Sequence, residues 1–366
     1  MKEFFIADAP RFDNQVITSY FCLSSVGVRD RKGGSGGQYL ALTLADKTGQ
    51  FEARMWEDFA EVVEHCSEGC FVKVQGQISK YQGKFQITVS KMRNAADSEV
   101  DSTDFVPTTQ FDIAAMDTEL RSYVEAFANA DLRRLVLAFF DDPIIGPAFR
   151  QAPAAKRLHH AWIGGLLEHI LTLVRVCRAT APFYPEVDPD LLVTGAILHD
   201  IGKVRELSWR SNFQYTLEGQ LIGHISIGVA MLHEKVAALN AETVAAAQSN
   251  GTSPEPFPER LLLLLEHMIL SHHGKMEFGS PKLPMTPEAM LLSALDDLEA
   301  KFQTLRTEFA ASQSAGKSAQ ETTEWVRSMD RSLFNSQEFL RSEDKVSTPA
   351  SANAAIQSLP ATDEAL

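Results

Sequence analysis

FVKVQGQISKYQGKFQITVSKMRNA, from Phe71 to Ala95, alternates apolar and polar side chains with the period of two that a half-buried strand requires. Val72, Val74 and Ile78 oppose Lys73, Gln75 and Gln77. After the turn signal Lys80-Tyr81-Gln82-Gly83-Lys84, Phe85, Ile87 and Val89 oppose Gln86, Thr88 and Ser90. Gly76 falls on the apolar side of the first run, where it marks a bulge or a sharp bend. The hairpin carries Lys73, Lys80, Lys84, Lys91 and Arg93 and no acidic residue, in a 366-residue chain whose net charge is −14. Acid and base are segregated, so the global charge excludes only a histone-like coat for nucleic acid.

Upstream, Val16 to Val28 is rich in β-branched and aromatic residues. A glycine-rich loop follows, then Tyr39 to Leu44, a turn over residues 45–50, Phe51 to Trp56, and a helical segment from Phe59 to His65. Three strands, a helix and two strands is the order of a five-stranded OB-like barrel, expected over residues 1–95. Such a barrel presents its ligand surface on strands 2 and 3 and on the loops joining strands 1–2 and 4–5. Single-stranded nucleic acid binds where cations track phosphates and aromatic faces stack on bases. Lys73, Lys80, Lys84, Lys91 and Arg93 with Tyr81 and Phe85 on the hairpin, and Tyr39, Arg54 and Trp56 across strands 2–3, have that composition. Phe85 also suits the barrel core, and edge lysines also guard against aggregation. Arg29-Asp30-Arg31-Lys32 and its glycine-rich continuation are expected to form a mobile loop.

Downstream, residues 96–115 are acidic, rich in Ser and Thr and without a sustained period, as in a linker. From Met116 the apolar spacing becomes helical, at i, i+3 and i+4, over segments such as Leu132–Phe140, Gly164–Ala179, Pro189–Leu198, Ile225–Ala238, Leu261–Leu270 and Pro287–Phe302. An all-α domain is expected over 116–312, with a flexible loop at 240–258, a helical extension at 313–344 and a disordered tail at 345–366. With 45% hydrophobic and 22% charged residues, wholesale disorder and coiled-coil architectures are excluded. The longest apolar run, Leu135–Phe140, is far short of the roughly 20 residues of a membrane span. The early charges Lys2 and Glu3 do not suit a secretory leader. Four cysteines without a CxxC pair read as reduced thiols, and a cytoplasmic protein is expected.

Nine of the ten histidines fall between His159 and His273. The strongest local signal is Leu198-His199-Asp200-Ile201-Gly202-Lys203, at the end of an apolar run. Adjacent His and Asp on a helix diverge by about 100°, so they can span two neighbouring ions with the carboxylate as bridge. Lys203 shares the face of Asp200, where a cation can hold a substrate phosphate. His169, His224, His272, His273 and Asp296 each sit in or beside an apolar helical stretch, where a polar group is costly unless bonded or metal-ligated. Imidazole with carboxylate suits Mn, Fe, Co, Ni or Zn better than Ca.

With HHAWIGGLLEH (159–169), ILHDIGKV (197–204), YTLEGQLIGHISIG (215–228), ILSHHGKMEFGSPKLP (269–284), ALDDLEAK (294–301) and a late WVRSMDRSLF (325–334), the chain resembles the YhaM-type 3′→5′ exoribonucleases. These place an OB module before an HD-domain metallophosphohydrolase. The resemblance implies two divalent metal ions, manganese foremost and Co, Fe, Ni, Zn or Mg as alternatives. Its ligands would be His169, His199, Asp200, His224, His272 and Asp296, with His273 the ambiguous neighbour of His272 and Asp297 the less suited neighbour of Asp296. Lys203 and His273, with His159 or His160, Arg157 and Lys275, would face the substrate phosphate or support the ligands. The expected partner is single-stranded RNA, with single-stranded DNA and self-association left open, and no membrane. Two rival readings remain at this stage. One is a nucleotide or cyclic-dinucleotide phosphohydrolase with a regulatory barrel, the other a non-catalytic single-strand-binding protein.

Overall fold

Burial on one side and water on the other turn the alternating pattern into five strands, β1 (Val16–Asp30), β2 (Gln38–Asp46), β3 (Gly49–Met55), β4 (Phe71–Tyr81) and β5 (Lys84–Asn94), with helix α1 (Ala60–His65) before β4. The computed structural model describes residues 2–31, 37–156, 160–209, 213–314 and 321–346. The loop residues Lys32–Gly36, the candidates Arg157 and His159, and the tail from residue 347 lie outside them. The strands close into a barrel in the order β1-β2-β3-β5-β4. β4 pairs antiparallel with β1, Lys73 opposite Tyr20, and β3 runs parallel to β5, Ala53 opposite Ile87. Phe21, Leu23, Leu40, Leu44, Ile78 and Ile87 fill the interior. Gly76 stands at the register shift between β4 and β5. A Cβ there would lie 2.5 Å from the Thr88 carbonyl oxygen, so only glycine lets the strands approach.

The segment 96–115, expected as a linker, is tied down along its middle. Phe105 is buried against Phe71 of the barrel, ring centroids 4.6 Å apart. Farther along, Ile163 donates its N–H to the Pro107 carbonyl at 2.8 Å, and Thr109 donates to the Ile163 carbonyl at 2.9 Å. Two short single-turn helices, Asp97–Glu99 and Ser102–Asp104, precede Phe105. Single anchors such as Phe105 leave no periodic trace, which is why composition alone suggests a loose connection.

The helical part comprises α2 (Ile113–Glu125), α3 (Ala130–Phe140), α4 (Ile145–Gln151), α5 (Gly165–Thr180), α6 (Pro189–Leu198), α7 (Lys203–Glu206), the two-residue strands β6 (Leu207–Ser208) and β7 (Gln214–Tyr215), α8 (Leu217–Leu221), α9 (His224–Asn250), α10 (Glu259–Ser271) and α11 (Pro287–Ser314). Side-chain caps set several starts: Asp112 for α2, Asn129 for α3 and Asp188 for α6. The expected loop at 240–258 is helix as far as Asn250. The alanine-rich run Ala245–Ala247 has high helix propensity, and Ala247 is buried. Beyond Ala300 the chain forms a second compact unit. There the expected helical extension is partly a hairpin, β8 (Thr322–Val326) with β9 (Arg331–Phe334), followed by α12 (Ser336–Val346). Asp330, at φ 51°, makes the turn that helical spacing does not anticipate. Among the described residues no helix is long and apolar enough to cross a membrane.

Asp142 ties α9 to the α3–α4 corner. Its carboxylate accepts from Lys235 Nζ at 2.7 Å and from the N–H groups of Ile144 and Ile145. The lysine first, and those N–H groups, pull its pKa from 3.8 to about 2. A lowered carboxyl stabilises the fold above the unfolded pKa and loses that stabilisation as pH falls through the folded one. Wild type should therefore exceed Asp142→Asn by about 1 kcal/mol from titration at neutral pH, allowing for solvent screening. That margin should shrink below 3.8 and vanish near 2. Urea unfolding of both proteins at pH 7, 4 and 2.5 measures it.

Candidate metal centre and nucleic-acid groove

Helix α6 is apolar on all sides, and every residue from Leu191 to Leu198 is buried. The chain consequently leaves the middle of the bundle at the α6 C-cap, His199, and turns through Asp200 with neither side chain reaching water. His169 comes from α5, His224 is the first residue of α9, His272 caps α10 and Asp296 lies on α11.

These groups converge on the two oxygens of Asp200. Its Oδ2 lies 3.3 Å from His199 Nε2 and 3.8 Å from His169 Nε2. Asp296 Oδ1 closes that side, at 3.3 Å from His169 Nε2 and 3.7 Å from His199 Nε2. The other oxygen, Oδ1, lies 3.5 Å from His224 Nε2 and 3.8 Å from His272 Nε2. His273 joins His224 and His272 in a group whose ligand atoms are all within 4.8 Å of one another. Asp297 is exposed.

Each ring is oriented through its other nitrogen. His199 Nδ1 faces the Ala196 carbonyl at 2.9 Å, His272 Nδ1 that of Ile269 at 2.8 Å, and His273 Nδ1 that of Phe278 at 2.7 Å. His169 Nδ1 lies 2.8 Å from Glu299 and His224 Nδ1 3.1 Å from Glu206. Acceptors at Nδ1 place the proton there and turn a lone pair on Nε2 inward. Asp200 Oδ1, His224 Nε2 and His272 Nε2 are buried without any hydrogen-bond partner. Buried acceptors facing one another without a proton between them are costly. A cation resolves that cost, so the residues present fit a metal centre, with donors suited to a transition ion rather than calcium.

The charges accord with this. Burial opposes a charge on Asp200, but Lys203, His199 and His224 together hold its carboxyl well below the usual range. Burial likewise opposes the Lys203 ammonium, yet Asp200, 2.6 Å away, keeps it charged. Burial pushes the pKa of the His272 and His273 imidazoles down, which favours their neutral form. His169 differs: burial disfavours its charge, but Asp296 and Glu299 outweigh it and raise the pKa to about 10, so its Nε2 carries a proton toward Asp296 that a cation would have to displace.

Lys203, His224 and Asp296 form the side of the centre that reaches solvent. His160, expected toward substrate, stands elsewhere. It is buried behind His169 with Nε2 occupied by Glu299 at 2.9 Å, so no substrate reaches it. Lys275 is exposed and turned to Glu277 at 3.5 Å, away from the clustered groups named above. His267 accepts from the Met285 N–H at 2.9 Å and thereby fixes the following loop. Spacing did not single out the buried glutamates Glu206 and Glu299. A signal existed, since each lies three residues beyond a marked position, Lys203 and Asp296, and so on the same helical face.

On the barrel, the nucleic-acid candidates divide between two walls. Tyr39, Arg54, Trp56 and Tyr81 line one groove of about 1220 Å³ together with Arg29 and Arg31. There the Tyr39 and Trp56 rings lie 4.9 Å apart, and the Arg31 and Arg54 guanidinium groups sit over Trp56 and Tyr81 at 5.3 and 5.5 Å. Lys73, Lys91 and Arg93 line a separate hollow of about 580 Å³. Arg93 is engaged by Glu99 through two bonds of 2.7 and 2.8 Å, so it is not open to a ligand as the acid-free hairpin suggested. Lys80 sits over Phe85, 5.5 Å from the ring, and Phe85 packs partly against the core. Lys84 is exposed at the hairpin turn.

Residues 166–301 match the HD domain family, and residues 26–95 match the OB-fold nucleic acid binding domain. Over 272 residues the chain is 36% identical to a 3′-5′ exoribonuclease YhaM of Geobacillus sp. (strain WCH70), covering 74% of this chain and 78% of that protein. It is 35% identical to the protein of the same name from Bacillus pumilus (strain SAFR-032), covering 74% and 81%. Among solved structures, the second OB-fold domain of replication protein A from Methanococcus maripaludis is 22% identical. It covers 23% of this chain and 88% of its own, with a TM-score of 0.20, too weak a likeness to carry weight.

The turn after Asp200 packs backbone to backbone on the start of α9. A Cβ on Gly202 would lie 2.0 Å from the His224 carbonyl oxygen and 2.8 Å from the Gly228 nitrogen. Gly202→Ala should push these segments apart and cost about 1–3 kcal/mol, measured as a lower midpoint in thermal unfolding of the metal-free chain.

Proposed function

Because the chain belongs to the YhaM-type 3′→5′ exoribonuclease family, we propose that it is a metal-dependent hydrolase that trims single-stranded RNA from its 3′ end, nucleotide by nucleotide. The observation that carries this reading is Asp200. Its two oxygens face two different sets of imidazole nitrogens, and on the Oδ1 side the His224 and His272 nitrogens have no hydrogen-bond partner, so Asp200 would serve both halves of a two-ion site. By their distances to Asp200 and Asp296, one ion would be held by His169, His199, Asp200 and Asp296, the other by Asp200, His224 and His272 with His273 at hand, and His272 also comes within reach of His199 and Asp296. Manganese is the metal we favour. When bound, such a pair supplies Lewis acidity, lowering the pKa of water and neutralising charge on the attacking and leaving oxygens.

The chain's own residues do the rest. Lys203, held charged at the open side, neutralises the non-bridging oxygens of the scissile phosphate. The barrel groove holds the strand upstream, with Tyr39, Trp56 and Tyr81 stacking on bases and Arg31 and Arg54 following the backbone. Stacking is indifferent to sequence, which suits an enzyme that must pass every base. The four cysteines form no disulfide, as a reducing cytoplasmic setting would have it.

A time course on 5′- and 3′-labelled oligoribonucleotides across a panel of divalent cations tests the reading. A ladder of shortened 5′-labelled products with early loss of the 3′ label is expected. Turnover of mononucleotides or cyclic dinucleotides with intact oligonucleotides would overturn it. Asp200→Ala should remove several kcal/mol of transition-state stabilisation, roughly 10³-fold or more in rate, while oligonucleotide binding persists. Trp56→Ala should do the reverse. It should weaken binding by about 1–3 kcal/mol in a fluorescence anisotropy titration and leave the rate at saturating substrate unchanged.

A further inference from the structure

Three of the five inward-facing imidazoles lean on backbone carbonyls, and two lean on buried carboxylates. The difference falls one to each side of Asp200. His169, on the Oδ2 side, is backed by Glu299, and His224, on the Oδ1 side, is backed by Glu206. Both glutamates are buried, Glu299 at 6% and Glu206 at 7% exposure. A buried carboxylate is expensive unless its bonds repay the lost hydration, and each makes two bonds to histidine. Glu299 takes His169 Nδ1 at 2.8 Å and His160 Nε2 at 2.9 Å through separate oxygens. Glu206 Oε1 takes both the backbone N–H of His224 at 3.0 Å and its Nδ1 at 3.1 Å, clamping the main chain and ring of one residue at the start of α9.

We propose that Glu299 and Glu206 are positioning residues, each setting how tightly one half of the centre holds its cation, a role that rests on the two-ion reading above. A charged acceptor makes a stronger bond than a carbonyl, fixes ring orientation and raises the basicity of the ligating nitrogen. Glu299 governs the half made with His199 and Asp296, and Glu206 the half made with His272. His160 belongs to the first device. Its backbone is left-handed at φ 53°, its carbonyl oxygen would lie 2.1 Å from a Cβ on Gly165, and its ring locks the second oxygen of Glu299. Such a conformation in a non-glycine residue persists only where its surroundings demand it. Here it delivers the ring to Glu299.

The test is calorimetric titration of the metal-free, full-length protein with Mn²⁺, without substrate. Glu299→Gln and Glu206→Gln keep the shape and an accepting oxygen while removing the charge. Wild type should bind in two steps. Glu299→Gln should weaken one step by about 10–100-fold, the same step that Asp296→Asn weakens, and leave the other in place. Glu206→Gln should weaken the other step alone. Should Glu299→Gln fail to fold, Glu299→Asp draws the charge back from the ring and should affect the same step. Two wild-type steps with every variant at wild-type strength overturn the inference and spare the proposed function. Equal weakening of both steps by each variant also overturns it, as a purely structural role would give. Wild-type protein that takes up no Mn²⁺ overturns the metal-dependent reading itself.

Discussion

One buried carboxylate, Asp200, with its two oxygens turned to different neighbours, is the constraint around which the helical domain is arranged. Four imidazole nitrogens and a lysine ammonium lie within 3.8 Å of it. Placing a charged group and unpartnered acceptors in an apolar interior is unfavourable by several kcal/mol. The surrounding bundle has to hold that arrangement against relaxation. It does so with rigid parts: α6 buried from Leu191 to Leu198, Gly202 in backbone contact with α9, and an acceptor fixed behind every ring.

The same demand accounts for the outer layer. Imidazoles that end helices, His199 and His272, find acceptors in the carbonyls three residues before them, because the helix itself presents those groups. His169 lies inside α5 and His224 at the very start of α9, where a helix offers no such carbonyl to the ring, and each relies on a glutamate from elsewhere. From Glu299 the polar chain continues through His160 to Glu168, whose carboxylate also accepts from Trp162 and Thr109. Thr109 sits on the connector from the barrel, so polar groups run from that connector toward the metal candidates, with a 3.6 Å gap between Glu168 and His160 Nδ1 that no hydrogen bond closes. The barrel buries one ion pair, Lys2 with Asp46 at 2.8 Å, but its candidate ligand-binding groups stay outside. Aromatic rings and guanidinium groups meet on its wall, where stacking partners are accessible and charge stays solvated.

The barrel strands, the helical segments and the histidine cluster were legible because each leaves a local trace. Period two over Phe71–Ala95 and period 3.6 over Gly164–Ala179 report the face that is buried, whatever it is buried against. Asn240–Asn250 misled because its polar, small residues look loose in composition while favouring helix in propensity. The connector misled because Phe105 and Pro107 act singly. Arg93 illustrates a different failure. Its hairpin holds no acid, but Glu99 folds back from the connector to neutralise it. His160 looks like a substrate contact beside the other histidines, yet its bond to Glu299 joins residues 139 positions apart.

From residue order alone came the kinds of chemistry available: a β-barrel with aromatic and basic side chains, and helices carrying imidazoles and carboxylates in apolar settings. Those features depend on spacing within a turn or a strand. Which oxygen of Asp200 meets which ring, which carbonyl or glutamate stands behind each imidazole, and which basic residues remain open were decided only by packing. Each depends on distances between helices far apart in the chain, and local periodicity carries no information about those distances.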